Sequence, residues 1–72
     1  MPYKTIEDLP EAVRDHLPDH AQEIFRAAFN AALVEYDGEE ERAFRVAWAA
    51  VKNDYEKDER SGNWKRKQKA NK

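Results

Sequence analysis

The sequence has no cysteine, and its 72 residues include only two glycines, three prolines and one serine. Without cysteine there can be no disulfide framework, no thiolate zinc site and no cysteine nucleophile. Two isolated glycines cannot form a glycine-rich phosphate loop, and one serine gives little basis for a serine nucleophile. We therefore expect a protein that is not an enzyme, with no catalytic residue and no cofactor.

Long hydrophobic runs are missing as well. The longest stretch without a charged residue is 27–34, whereas a membrane-spanning helix needs about 20 apolar residues. The first ten residues, MPYKTIEDLP, lack the basic start and the apolar stretch of a signal peptide. We therefore expect no membrane insertion and a cytoplasmic location.

The apolar residues that are present allow only a thin core. Hydrophobic residues make up 40% of the chain, but eleven of them are alanine. A chain of this length forms one domain. We expect a monomer that packs around a single interior.

Prolines and cap residues divide the first half of the chain into two predicted helices. The first spans about Leu9–His16, with Asp8 as its N-cap and Pro18 as the residue that prevents its continuation. The second begins with Asp19 as its N-cap and Gln22 as the capping-box partner. Its apolar residues recur at steps of three and four over roughly 140° of the helix surface: Ala21, Ile24, Phe25, Ala28, Phe29, Ala32 and Tyr36.

A third helix is predicted to begin near Asp37, with Glu40 as its box partner. Its apolar arc spans roughly 200°, which is too wide for one neighbouring helix to cover. Rings from the chain ends, Tyr3 and Trp64, could cover the remainder through a short pairing of residues 2–4 with 63–66. The predicted fold is mainly α: a compact three-helix domain with a small two-stranded sheet formed by the chain ends, α+β by strict count.

Charge is distributed unevenly along the chain. Residues 1–60 contain all 15 acidic residues and eight of the basic ones. Residues 61–72 contain no acid and five basic residues: Lys65, Arg66, Lys67, Lys69 and Lys72. We interpret residues 1–64 as the folded domain and residues 65–72 as a basic, disordered C-terminal tail.

Several segments carry a resemblance to a known family. They are MPYK, DLPEAVRDHLPDHAQEIFRAAFNAA, and VAWAAVKNDYEK followed by GNWKRK. In their order and spacing they closely resemble the ChaB family of small proteins described as proposed regulators of cation transport. The resemblance implies three helices with a small sheet, and a regulatory role toward a cation/proton antiporter. The resemblance to family members in viral genomes implies DNA binding as an alternative role.

Acidic and histidine residues offer weak metal-site candidates. Asp37, Glu39 and Glu40 could bind calcium or magnesium, but their spacing is not that of an EF-hand, and consecutive acids are already favoured at a helix start. The resemblance places weak cation binding in a loop that is longer in enterobacterial members than the connection here. His16 and His20 are four residues apart, but Pro18 interrupts their helix. The place of His20 in the segment LPDHAQ, which carries the resemblance, implies that it holds the turn before the second helix.

Two functions follow from these observations. In the first, the protein binds a protein partner, for which the resemblance suggests the cytoplasmic part of a cation antiporter, through Leu33 and Val34, which fall outside the apolar arc of the second helix. In the second, it binds nucleic acid through its basic tail. The residues for that role are Trp64 for stacking and Lys65, Arg66, Lys67 and Lys69 for phosphates.

Overall fold

The computed structural model describes residues 2–67. A 3₁₀ turn at Ile6–Asp8 precedes three helices, α1 (Glu11–His16), α2 (Asp19–Glu35) and α3 (Glu40–Asp54). Two short strands follow, β1 (Tyr55–Lys57) and β2 (Trp64–Arg66). The predicted fold class, three helices with a small two-stranded sheet, is confirmed.

The sheet is a hairpin at the C-terminal side of the chain. Strands β1 and β2 run antiparallel, with Tyr55 opposite Arg66 and Lys57 opposite Trp64. The prediction that residues 2–4 supply the partner strand was wrong. The backbone of Tyr3 is bonded instead to the side chain of Asn30 on α2, because Tyr3 N–H donates to Oδ1 at 2.9 Å and Nδ2 donates to Tyr3 O at 2.8 Å.

The first helix begins two residues later than predicted. Asp8 serves the preceding 3₁₀ turn, where its Oδ2 accepts the backbone N–H of Thr5 at 3.3 Å. Pro10 then takes the N-cap position of α1, where its missing N–H has no consequence. The Asp8 side chain therefore caps the 3₁₀ turn and does not cap α1.

Gln22 joins α1 to α2 and is not a capping-box partner. The N-cap of α2 is Pro18 rather than Asp19. The buried Nε2 of Gln22 donates to Leu17 O at 2.8 Å and to Arg14 O at 3.2 Å. These carbonyls at the end of α1 have no partner within the helix, so the amide stabilises that end.

The connection from α2 to α3 turns sharply. Asp37 and Gly38 both have positive φ, 59° and 80°, and Gly38 N–H donates to Leu33 O at 2.7 Å. This left-handed ending satisfies a carbonyl of α2. Asp37 therefore belongs to the end of α2, and Glu39, not Asp37 as predicted, is the N-cap of α3.

The core lies mainly between α2 and α3 and is rich in aromatic rings. Phe25 and Phe29 are fully buried on α2. The Phe44 ring lies 4.9 Å from that of Phe29, and the Trp48 ring lies 5.0 Å from that of Phe25. Between these rings the facing positions are filled by fully buried alanines: Ala21, Ala43 and Ala47. Such small side chains let two helices approach closely.

The chain ends cover the wide apolar face in an unexpected way. The Trp64 ring packs on Trp48 of α3 at 5.4 Å, as predicted. The Tyr3 ring packs instead on Phe29 of α2 at 4.8 Å. The face of α3 is therefore closed by α2 on one side and by the hairpin on the other.

Leu33 is buried, with only 7% of its surface exposed, so its prediction as an exposed docking residue was wrong. It follows Phe29 by four residues and lies about 40° beyond the predicted arc, near enough to join the core. Val34 is 82% exposed, as that prediction requires. Among residues 2–67, none of the helices is both long enough and apolar enough to cross a membrane.

Candidate functional site

The turn between α2 and α3 carries a concentrated negative charge. We call it the acidic end, and define it as Val34 with five exposed acidic residues: Glu35, Asp37, Glu39, Glu40 and Glu41. The ending of α2 and the start of α3 bring these residues together, and acids in the first turn of α3 are favoured by the helix dipole. The acidic end is thus both stabilising for α3 and accessible to a partner.

Two local contacts shape this surface. Glu39 Oε1 lies 3.6 Å from Arg42 Nε, and the Arg42 guanidinium lies over the Tyr36 ring at 4.9 Å. Arg42 offsets only part of the negative charge of the acidic end, because it is the only basic residue between Leu33 and Ala43.

The acidic end also affects Tyr3. Burial, and to a smaller extent the charge of Glu40, raises the pKa of Tyr3 above its ordinary value.

The predicted metal ligands lie on one surface, but they are not grouped in the way a metal site requires. Within residues 2–67, no three histidine or acidic side chains are grouped so that they could hold a metal ion. Asp37 ends α2, whereas Glu39 and Glu40 begin α3. The end of α2 and the start of α3 are sufficient to explain where these carboxylates lie.

The two histidines have separate structural partners. His20 Nδ1 shares a hydrogen bond with the Tyr55 hydroxyl at 3.1 Å, and His16 Nδ1 shares one with Asn63 Oδ1 at 3.2 Å. Each bond ties a helix to the C-terminal hairpin. His20 thus links the start of α2 to β1, which extends its predicted role in the turn.

The residues predicted for nucleic acid lie at the hairpin. Lys65 and Arg66 belong to β2 and are exposed, as is Lys67, whose N–H donates to Asp54 O at 2.9 Å. The Arg66 guanidinium lies 5.9 Å from the centre of the Tyr55 ring. The stretch predicted as a disordered tail therefore begins inside a strand, and Lys69 lies outside the described residues.

A cleft of about 440 Å³ opens between α1, α3 and the hairpin. We call it the tryptophan cleft. Its apolar wall is formed by Trp48 and Trp64, its rim carries Lys52 and Lys57, and His16 of α1 lies on the opposite side. A second opening of about 300 Å³ adjoins it, shares Lys52, Lys57 and Trp64, and adds Lys67.

The hairpin turn holds the cleft in shape. Gly62 lines the cleft with φ of 78°, and its N–H donates to Asp58 O at 2.7 Å. Asp58 N–H donates in turn to Asn63 O at 2.7 Å, while the Asp58 side chain accepts the Arg60 N–H at 2.9 Å. With His16 bonded to Asn63, the rim is fixed on both sides.

Comparison with known proteins gives this arrangement a family. The family model described as ChaB matches residues 9–67, most of the chain. The chain belongs to the ChaB family. Proteins from Escherichia coli strain K12 and from Shigella flexneri, both named "Putative cation transport regulator ChaB", are 46% identical over 76 aligned residues. Each alignment covers 93% of this chain and 99% of the relative.

The fold is also similar to that of a ChaB protein whose structure was determined in solution by NMR. The TM-score is 0.83 at 47% identity, and the match covers 93% of this chain and 100% of that one. The predicted membership in the ChaB family is thus confirmed, and so is its three-helix fold with a small sheet.

The residues that match the ChaB family model include the acidic end and the tryptophan cleft, but only the acidic end could be recognised from the sequence. The acidic end follows directly from a run of acids beside Val34. The tryptophan cleft was missed because Lys52 and Lys57 meet Trp64 only after the chain folds back as a hairpin. The available signal was the pair of similar triplets, YEK and WKR, separated by polar residues and Gly62.

Proposed function

We propose that this ChaB-family protein regulates cation transport by binding a protein partner in the cytoplasm, and that the partner is the cytoplasmic part of a cation/proton antiporter. The observation that carries the proposal is the 46% identity, over 93% of the chain, to relatives named for cation transport regulation. In this proposal the protein changes transport through contact alone and performs no chemistry.

The interior supports a role without catalysis. Aromatic rings and alanines fill the space between α2 and α3. Throughout residues 2–67, every buried side-chain nitrogen and oxygen has a hydrogen-bond partner.

The acidic end is the surface that we propose for docking to the antiporter. Its five carboxylates complement a basic cytoplasmic loop, and Val34, exposed next to Glu35 in the chain, offers an apolar contact. Charge complementarity of this kind mainly raises the association rate and fixes the orientation of the partner. Binding should therefore weaken as ionic strength rises.

An immobilised peptide with the sequence of a basic antiporter loop tests this surface. The variant Glu35→Lys/Glu41→Lys reverses two charges of the acidic end. The control Glu7→Lys/Glu59→Lys makes the same change in net charge at exposed positions elsewhere. We expect the first variant to bind the loop at least about tenfold more weakly than the wild type and the control to stay within about threefold. Equal retention of both variants would contradict docking at the acidic end.

Nucleic-acid binding is a second candidate, favoured by three consecutive exposed cations after Trp64: Lys65, Arg66 and Lys67. One contact weighs against it, since the Arg66 guanidinium already lies near the Tyr55 ring. The salt dependence of duplex binding decides the question. Contact by these cations predicts a slope of about −0.9 for each phosphate neutralised. A Lys65→Gln/Lys67→Gln variant should then lose about two such units.

A further inference from the structure

We infer that the tryptophan cleft is a second binding site, and that it takes an acidic peptide segment carrying one aromatic side chain. The site lies at the hairpin, away from the acidic end, and does not depend on the antiporter proposal. Neither the family description nor the names of the relatives assign a ligand to it.

Size and shape indicate the apolar part of the ligand. At about 440 Å³ the cleft lies near the lower end of the range for specific ligand sites, about 300–1,000 Å³. That volume admits one large side chain with its neighbouring backbone. The wall offered to it consists of Trp48 and Trp64, both half-buried. Paired aromatic rings of this kind prefer another ring or a flat apolar group.

The charged residues that line the cleft indicate the chemistry of the rest of the ligand. Lys52 and Lys57 line the cleft, and no acidic residue within 2–67 does. Lys67 continues the same rim along the adjoining opening. Three ammonium groups around an apolar wall favour carboxylates on either side of the buried ring.

The rim is also built before any ligand arrives. The hydrogen bond between His16 and Asn63 fixes α1 to the hairpin turn, and the bond from Lys67 N–H to Asp54 O fixes β2 to the end of α3. A preformed cleft spares a peptide part of the entropy cost of ordering its site.

A peptide fits these charges better than a nucleic-acid strand. Glu56 lines the adjoining opening beside Lys57. A strand needs a continuous track of cations for its phosphates, whereas Glu56 interrupts the lysines along the adjoining opening. A short peptide requires only the cleft and its two flanking lysines.

Intrinsic fluorescence tests the site directly, because the chain has two tryptophans and both line the cleft. The probe is the peptide acetyl-Asp-Glu-Phe-Glu-Asp-amide, titrated into the full chain at low salt. We expect a saturable fluorescence change below about 1 mM peptide. The same titration with acetyl-Lys-Lys-Phe-Lys-Lys-amide should produce no saturable change.

Matched variants separate the rim from general electrostatics. Lys52→Gln/Lys57→Gln should weaken binding by about tenfold, whereas Lys4→Gln/Lys65→Gln, with the same loss of charge outside the cleft, should change it by less than about twofold. Circular dichroism and the thermal midpoint verify that each variant is folded. The inference is overturned if both variants bind alike or if the basic peptide binds as tightly. It is also overturned if an oligothymidine saturates the signal while the acidic peptide does not.

Discussion

At the scale of single residues, Phe29 contacts three aromatic rings in the core. It is fully buried, and its ring centre lies 4.8 Å from Tyr3, 4.9 Å from Phe44 and 6.4 Å from Phe25. Tyr3 belongs to the N-terminal segment, whereas Phe44 belongs to α3. One side chain of α2 therefore holds two other parts of the chain.

We predict that Phe29→Ala lowers the free energy of unfolding by about 3–5 kcal/mol, because it leaves a cavity between α2 and α3. A domain of this size has only a few kcal/mol to lose, so most of the variant should be unfolded at 25 °C. Urea denaturation followed by circular dichroism measures the change. The exposed control Val34→Ala should stay within about 0.5 kcal/mol of the wild type. A folded, cooperative Phe29→Ala protein would contradict this account of the core.

Tyr3 gives the fold a dependence on alkaline pH. Burial, with a smaller effect from the charge of Glu40, raises its pKa in the folded protein. The unfolded chain loses this proton near pH 10, whereas the folded chain retains it. The stabilisation is therefore complete below about pH 10 and is lost as the pH rises through the folded pKa.

We predict that the stability of Tyr3→Phe falls less steeply above pH 10 than that of the wild type. Urea midpoints measured between pH 9 and pH 11 give the two slopes. Parallel slopes would show that Tyr3 contributes nothing to the pH dependence. Glu40→Gln should produce an intermediate slope, since it removes only the smaller of the two causes.

Single residues were predictable where their neighbours along the chain decide their surroundings. Phe25, Phe29 and Val34 are placed correctly by helical periodicity alone. Leu33 was misplaced because it lies at the margin of the apolar arc, where the packing of neighbouring segments decides exposure. Gln22 was misread because its long side chain reaches back to α1 instead of capping its own helix.

At the scale of elements, the hairpin is the part that local signals predicted least well. Each strand has three residues, and strands this short carry little periodic signal. Residues 2–4 were predicted to pair with 63–66, but the Asn30 side chain makes the hydrogen bonds of the Tyr3 backbone that a partner strand would have made. Helices α2 and α3, with strong periodicity, were predicted to within a few residues, although both of their predicted N-caps were wrong.

We predict that Gly62→Ala destabilises the hairpin, because its φ of 78° is strained for a side chain with a Cβ. Nothing lies within 4 Å of a Cβ added there, so the cost comes from the backbone alone and should be about 1 kcal/mol. Gly62→Asn should cost less, because asparagine tolerates this conformation. Amide hydrogen exchange of β1 and β2 reports the effect. Equal protection in Gly62→Ala and wild type would contradict it.

At the scale of the whole molecule, charge is separated along α3. The acidic end surrounds its first turn, and the tryptophan cleft lies toward its last turn, about 20 Å away. Acids at the N-terminus and Lys52 in the last turn both suit the helix dipole. The composition of the sequence predicts an asymmetry of charge, but with the net positive charge confined to a C-terminal tail. Folding brings Lys67 of that tail to the opening that adjoins the cleft, near Lys52 and Lys57, which the tail hypothesis did not include.

The most direct test of the central claim, regulation by contact at the acidic end, measures cation/proton exchange in everted membrane vesicles that contain the antiporter. The rate of cation-driven collapse of the pH gradient is followed as purified protein is added. We predict a saturable change in that rate with the wild type and with Glu7→Lys/Glu59→Lys, and little change with Glu35→Lys/Glu41→Lys. An exchange rate that is the same with and without the wild-type protein would contradict the proposed function.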